Sequence, residues 1–293
     1  MGLEQAPMPA PEIPEEQADT GKKKRGSSRN LPIAVAVGVA LGAVVLLSLY
    51  TIKEIFLGVV VLFLGMAVWE FIRAFDSRGI RIPWVPVMVG GLATVLCTYF
   101  WGTTALVAGF GLTALVVLLW RLPRGQDGYV RDATAGVFAT AYIWFLAGFV
   151  VLLLAAPDGA DRVLIFIAVT VASDIGGFFA GSFLGSHKMA PSISPKKTWE
   201  GVSGSALTCM IVGGILLPWL LHGHWWQGVI VGAAAVCSAT LGDLIESMIK
   251  RDLGIKDMGS LLPEHGGVMD RLDSLLATVP VVWLLFEVFV PPA

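Results

Sequence analysis

Three consecutive stretches decide how this chain is read: QGVIVGAAAVCSATLGDLIESMI (227–249), KRDLGIKDMGSLLPEHGGVMDR (250–271) and LDSLLATVPVVWLLFEVFV (272–290). The outer two are apolar runs long enough to cross a bilayer as helices. The middle one is their opposite. Residues 247–273 hold five acids, five basic or imidazole groups and the turn Pro263-Glu264-His265-Gly266-Gly267, in a chain that is 56% hydrophobic and only 14% charged. Charge held where an apolar helix ends can meet a polar substrate on one side and a lipid on the other.

The same apolar signature repeats along the chain. With a mean hydropathy of +0.77, nine runs can be drawn: 32–50, 54–75, 84–101, 103–120, 133–156, 162–184, 201–221, 227–249 and 272–290. Backbone groups in hydrocarbon must be satisfied within the segment, and the runs do not alternate, so they read as helices and not barrel strands. The expected fold is all-α, a polytopic integral membrane protein of about nine transmembrane helices. If the N-terminus is cytoplasmic, 18 of the 20 Lys and Arg lie inside and only Lys53 and Arg162 outside. That asymmetry sets the orientation. It implies a multi-pass protein of the cell's inner (plasma) membrane with its charged loops in the cytoplasm. Residues 1–30 are too polar to pack and read as a disordered cytoplasmic tail. Residues 31–160 form an N-terminal set of transmembrane helices, and 161–293 a C-terminal catalytic transmembrane region.

Several features have plain explanations. Cys97, Cys209 and Cys237 are scattered in apolar runs without CxxC pairing, which indicates neither disulfide nor metal. Glu70 lies three residues before Arg73 and reads as a structural pair at the membrane edge. His222 and His224 lack a third ligand for a metal, and no basic-aromatic cluster suggests nucleic acid.

The chemistry gathers after residue 170. Ser173, Gly177, Gly181 and Gly185 recur every four residues and form a stripe on which another helix can pack closely. Packing explains the glycines but not Asp174, a carboxylate well inside an apolar run. The segment Pro191-Ser192-Ile193-Ser194-Pro195-Lys196-Lys197-Thr198 sets two lysines and three hydroxyls on an extended loop, a donor set suited to phosphate. In the third constellation Asp243, Glu246 or Ser247, and Lys250 share one helical face, with Arg251 next to it. Asp270 and Asp273 follow at the start of the last run. Asp270 could serve as a helix cap alone. Acids converging from two helices beside Lys250, Arg251 and Arg271 fit a hard-cation site better. Mg²⁺ accepts one or two carboxylates and leaves positions for phosphate oxygens. Metal and lysines around phosphate describe phosphoryl or nucleotidyl transfer, which needs no protein nucleophile.

These residues carry a resemblance. From Ser247-x-Ile249-Lys250-Arg251 through Lys256-Asp257 and Leu262-Pro263-x-His265-Gly266-Gly267 to Asp270-Arg271-Leu272-Asp273, the chain resembles the signature of phosphatidate cytidylyltransferases. Ser194-Pro195-Lys196-Lys197-Thr198-Trp199-Glu200-Gly201 is similar to a second element of that family. Phe178 departs from it, since members often carry Tyr there. The resemblance implies conversion of CTP and phosphatidic acid to CDP-diacylglycerol and pyrophosphate, with Mg²⁺ and K⁺ as a second ion. It further implies Asp243 and Asp270 as metal ligands supported by Asp273, and Lys250, Arg251, Lys256 and Arg271 on phosphates. Ser194, Lys196 and Lys197 would bind CTP or the lipid headgroup, with Asp174 and His265 also in the substrate site. Partners are then CTP, phosphatidic acid and membrane lipids. The oligomeric state is left open, a homodimer included. The alternatives are a CTP-dependent transferase acting on another lipid phosphate or a polyprenol, and an ion-coupled transporter. The transporter would put its acids near mid-membrane between inverted repeats, whereas here they crowd one end.

Overall fold

The structure, a computed structural model, describes residues 31–261 and 266–292, with side chains from residue 38 onward except Leu41. The tail 1–30 and His265 therefore lie outside the described residues.

Helices dominate: α1 (Leu31–Thr51), α2 (Lys53–Asp76), α3 (Trp84–Arg121), α4 (Tyr129–Ala139), α5 (Leu146–Ala155), α6 (Gly159–Leu184), α7 (Trp199–Leu221), α8 (Trp225–Asp252) and α9 (Met269–Phe289). A π-helical segment, Thr140–Phe145, joins α4 to α5 into one continuous rod. Among the described residues seven helical segments are long and apolar enough to cross a membrane. The chain is thus a multi-pass helical membrane protein. One of the seven carries both the third and fourth expected runs. It is broken at Gly102, whose φ of 63° and ψ of −149° no other residue adopts easily. The two arms fold back on each other, with the Thr94 and Thr113 hydroxyls 3.4 Å apart. A Cβ at Gly90 would stand 2.6 Å from Thr113, and one at Gly109 would stand 2.7 Å from Thr94, so the glycines set the closeness of the arms.

The second half packs in chain order, α6 on α7, α7 on α8 and α8 on α9. The small-residue stripe does what its spacing predicts. A Cβ on Gly177 would meet Ser205 at 2.6 Å, and Gly181 faces Gly201 across the same contact. That closeness lets Ser205 donate to the Ser173 carbonyl at 2.6 Å and Thr208 to the Ala172 carbonyl at 2.8 Å. Gly242 gives α8 the same approach to α9, where a Cβ would strike the Asp273 carbonyl at 2.5 Å.

Charged residues cluster at the two ends. At one, buried Arg121 binds Asp132 at 3.1 Å, Asp132 also accepts the Arg81 amide, and Arg78 donates to the Leu253 carbonyl. At the other, Arg162 binds Asp158 at 2.6 Å and the Val290 carbonyl at 2.6 Å, tying α6 to the end of α9. The helical architecture gains one insertion that the sequence presented only as an extended loop. Strands β1 (Lys188–Ala190) and β2 (Ser194–Thr198) pair antiparallel, Lys188 opposite Thr198 and Ala190 opposite Ser194, with a bulge between. Thr198 ends the hairpin and caps α7, its hydroxyl accepting the Gly201 amide at 3.2 Å.

Candidate active site

The end of α6, the β-hairpin, the end of α8 and the start of α9 enclose a cavity of about 780 Å³. Each wall has a local cause. The glycine stripe brings α7 against α6, which swings the hairpin over Asp174. The close α8–α9 contact at Gly242 brings Asp243 and Glu246 beside Asp273. Lys256, Asp257 and Gly266 line the remaining side.

Two lysine–carboxylate pairs organise the interior. Lys197 Nζ lies 2.5 Å from Asp243 Oδ2 and donates to the Thr240 carbonyl at 3.2 Å, anchoring the hairpin to α8. Lys250 Nζ bridges Glu246 Oε2 at 2.5 Å and Asp270 Oδ1 at 3.0 Å, joining α8 to α9. Asp270 has a further duty: it accepts the amides of Met258 at 3.1 Å and Gly267 at 2.9 Å. These bonds reach back to the loop and not to the first turn of α9, whose cap residue Val268 makes no side-chain bond, so Asp270 ties the loop to the helix while still facing Lys250. Asp243 is the more open of the two acids, its side chain 31% exposed against 9% for Asp270.

Of the residues singled out from sequence, Asp174, Ser194, Lys197, Asp243, Lys250, Lys256, Asp270, Arg271 and Asp273 line this cavity together. Lys196 lines a side pocket of about 200 Å³ that shares Asp174, Lys197 and Asp243 with it. Arg251 stands apart from both. Its Nε reaches the Ile193 carbonyl at 3.4 Å on the exposed side of the hairpin turn, so it braces β1–β2 from outside the cavity. Phe178 lines both spaces without a hydroxyl to offer.

Two acids carry more than the sequence suggested. Glu246 is 1% exposed, and its Oε1 has no hydrogen-bond partner among the described residues. Its carboxylate lies next to that of Asp273. The i, i+4 spacing to Lys250 was the available signal, and it pointed equally to Ser247. Glu70 is the larger surprise. It does not pair with Arg73, which lies over the Trp69 ring at 4.4 Å. Buried Glu70 instead accepts the amides of Leu261 at 3.3 Å and Met269 at 3.0 Å. A Cβ on Gly259 would collide with it, and one on Gly267 would stand 2.7 Å from it. Nothing near residue 70 in the sequence signals this contact, because its partners lie some two hundred residues later.

The cavity's charge bears on a cation. Among the described lining residues are six carboxylates (Asp174, Asp243, Glu246, Asp257, Asp270, Asp273) against four cations (Lys197, Lys250, Lys256, Arg271). Such a balance repels an anionic triphosphate unless positive charge is added. The adjacent carboxyl groups of Glu246 and Asp273 are relieved of their repulsion either by a shared proton or by an added cation. The donors are all oxygens, as Mg²⁺ prefers. Among the described residues no three His, Cys, Asp or Glu form a ready cage. The residues fit the ion.

Comparison with known proteins decides the family. Residues 32–289 match the pattern of the cytidylyltransferase family. The chain belongs to the cytidylyltransferase family. Its cytidylyltransferase relatives include the phosphatidate cytidylyltransferase of Mycobacterium leprae (strain TN), 39% identical over 94% of this chain and 93% of that protein. The phosphatidate cytidylyltransferase of Mycobacterium tuberculosis (strain ATCC 25618 / H37Rv) is 36% identical over 93% of this chain and 89% of that protein. The one from Brucella suis biovar 1 (strain 1330) is 35% identical over 71% of this chain and 74% of that protein. The match to the family pattern runs through the N-terminal helices as well as the signature.

Proposed function

We propose that this cytidylyltransferase transfers the cytidylyl group of CTP to phosphatidic acid, giving CDP-diacylglycerol and pyrophosphate. The observation that carries the reading is the cavity that unites Asp243, Asp270 and Asp273 with Lys197, Lys250, Lys256 and Arg271 at one end of an apolar bundle. Family membership and the names of the relatives agree with it.

A phosphate oxygen of the lipid attacks the α-phosphorus of CTP. A new P–O–P bond forms as the bond from the α-phosphorus to the β-phosphate oxygen breaks, and pyrophosphate leaves. No protein nucleophile is required. The lysines act by position and charge. Lys197 and Lys250 are held by Asp243 and by Glu246 with Asp270. An arriving phosphate takes over the ammonium groups, which frees carboxylate oxygens as it does so. Asp243 and Asp270, with Asp273 behind them, would hold Mg²⁺, which when bound neutralises charge on the transferring phosphoryl group. Arg271 and Lys256 hold the remaining phosphate oxygens, and the Ser194 hydroxyl and Lys196 approach the nucleotide from the hairpin side.

The orientation proposed is N-terminus in the cytoplasm with nine crossings, the two arms around Gly102 counting as two. The cavity then opens to the cytoplasm, where CTP is, and the membrane is the inner one. The test is incorporation of radiolabelled CTP into lipid by the purified protein with Mg²⁺, with phosphatidic acid and a polyprenyl phosphate offered in parallel. Label in the phosphatidate product alone supports the proposal; label only in the polyprenyl product replaces it.

A further inference from the structure

A second cavity lies beside the polar one, and α9 is the wall between them. Its volume is about 360 Å³, and its lining comes from α1, α2, α5, α6 and α9. Phe56, Leu64, Phe166, Leu276 and Val279 line it, all buried. Among the described residues its lining is apolar with a single exception, Arg271, which also lines the polar cavity.

The geometry of α9 explains the shared residue. At about 100° per residue, Asp270, Asp273 and Ser274 fall on one face, and these line the polar cavity. Leu272, Leu275, Leu276 and Val279 fall on the opposite face at the i, i+3, i+4, i+7 spacing, and these line the apolar one. Arg271 sits on the border. It is the one described residue that lines both spaces.

Protein interiors are close-packed, with few voids larger than a water molecule. This space is no such void but an open groove, with Val45, Val59, Val60, Phe63 and Val150 along it only partly buried, and water gains nothing on its apolar walls. Hydrocarbon is what a membrane supplies to fill it. From residue 271 to residue 279 the groove follows α9 for about 12 Å at 1.5 Å per residue, the direction a lipid tail takes away from its headgroup. On α1 it is open enough to admit a chain, since a Cβ at Gly38 would meet nothing within 4 Å.

We infer that this groove holds an acyl chain of the phosphatidate substrate while Arg271 holds its phosphate, so that the groove sets chain-length preference. The inference rests on the transfer reaction proposed above and adds a subsite to it. Val59 and Val150 line the groove from α2 and α5 and are partly buried. Val59→Phe and Val150→Phe should each lower kcat/KM for dioleoyl phosphatidate relative to dioctanoyl phosphatidate by about tenfold, given that one methylene in an apolar pocket shifts selectivity by roughly that much or more. Val89→Phe, on the separate apolar surface of α3, is the control and should leave the ratio unchanged. The wild-type protein supplies a test that does not depend on the variants folding. Phosphatidate carrying a photoreactive group near the tail end should label peptides within 56–64 and 272–279. Unlabelled dioleoyl phosphatidate should displace that label, and dioleoyl phosphatidylcholine should not. An unshifted ratio in both variants, or label displaced equally by both lipids, means that bulk lipid fills the groove and overturns the inference. Absence of transfer to either chain length would instead contradict the reaction itself.

Discussion

Replacing Glu70 by alanine should disable the enzyme without touching a group that meets substrate. Glu70 sits on α2, and through two amides it holds the loop that carries Lys256 and leads into Asp270. The Met269 bond is buried and the Leu261 bond partly so. Hydrogen bonds to a charged acceptor contribute about 1.5–3 kcal/mol each, and a buried amide left without a partner costs about 1–3 kcal/mol. With the Leu261 bond discounted for its exposure, the loop should lose about 2–4 kcal/mol of docking free energy. At about 1.4 kcal/mol per factor of ten, that leaves the loop undocked for most of the time unless docking is unusually favourable. Turnover should fall about tenfold or more, and the peptide from 253 to 261 should become sensitive to protease. Glu70→Gln retains one carbonyl oxygen and turns an NH₂ toward the second amide, so it should fall between wild type and alanine. Arg73→Ala is the discriminating control, because Arg73 stacks on Trp69 and leaves Glu70 alone. Turnover and proteolysis in detergent check all three variants. Equal loss in Arg73→Ala and Glu70→Ala, or a protease-resistant loop with normal turnover in Glu70→Ala, would refute the reasoning.

Asp243→Asn removes the charge of the more open acid and should cost about 10²–10³ in turnover with a weakened response to Mg²⁺; near-normal metal dependence would remove Asp243 from the ion. Lys197→Ala should raise KM for CTP or phosphatidate while melting temperature changes little, because a partly exposed ion pair contributes about 1 kcal/mol; unchanged kinetics for both substrates would return Lys197 to anchoring the hairpin. Gly259→Ala places a methyl group against the Glu70 carboxylate, so it should reproduce the loop phenotype of Glu70→Ala, and wild-type turnover in that variant would show that the loop has room to shift. In a background lacking Cys97, Cys209 and Cys237, cysteines placed at 192 and 257 should react with an impermeant thiol reagent from the cytoplasmic side; reaction from outside would reverse the proposed orientation.

The helices were legible because a bilayer permits so few alternatives: each crossing must be a continuous apolar run, and the run broken at Gly102 showed its break as a glycine between two aromatic-flanked arms. Asp243, Lys250, Asp270 and Asp273 were legible for a related reason. Charge is costly beside hydrocarbon, so acids and lysines at the ends of α8 and α9 stood out against their surroundings. What stayed hidden is what depends on distant pairing. Arg251 looked equivalent to Lys250, yet successive residues on a helix point about 100° apart, and only Lys250 turns inward. Glu70 had a plausible partner three residues away and a better one in a loop that no local pattern connects to it. The groove behind α9 is the clearest instance. Leu272, Leu275, Leu276 and Val279 read simply as membrane helix, the same signal that lipid contact would give, and only the placement of α1, α2, α5 and α6 around them turns that face into one wall of a groove. Arg271 therefore belongs at once to the charged signature and to an apolar surface, and a lipid phosphate with its tail is the kind of ligand that has the same two-sided character.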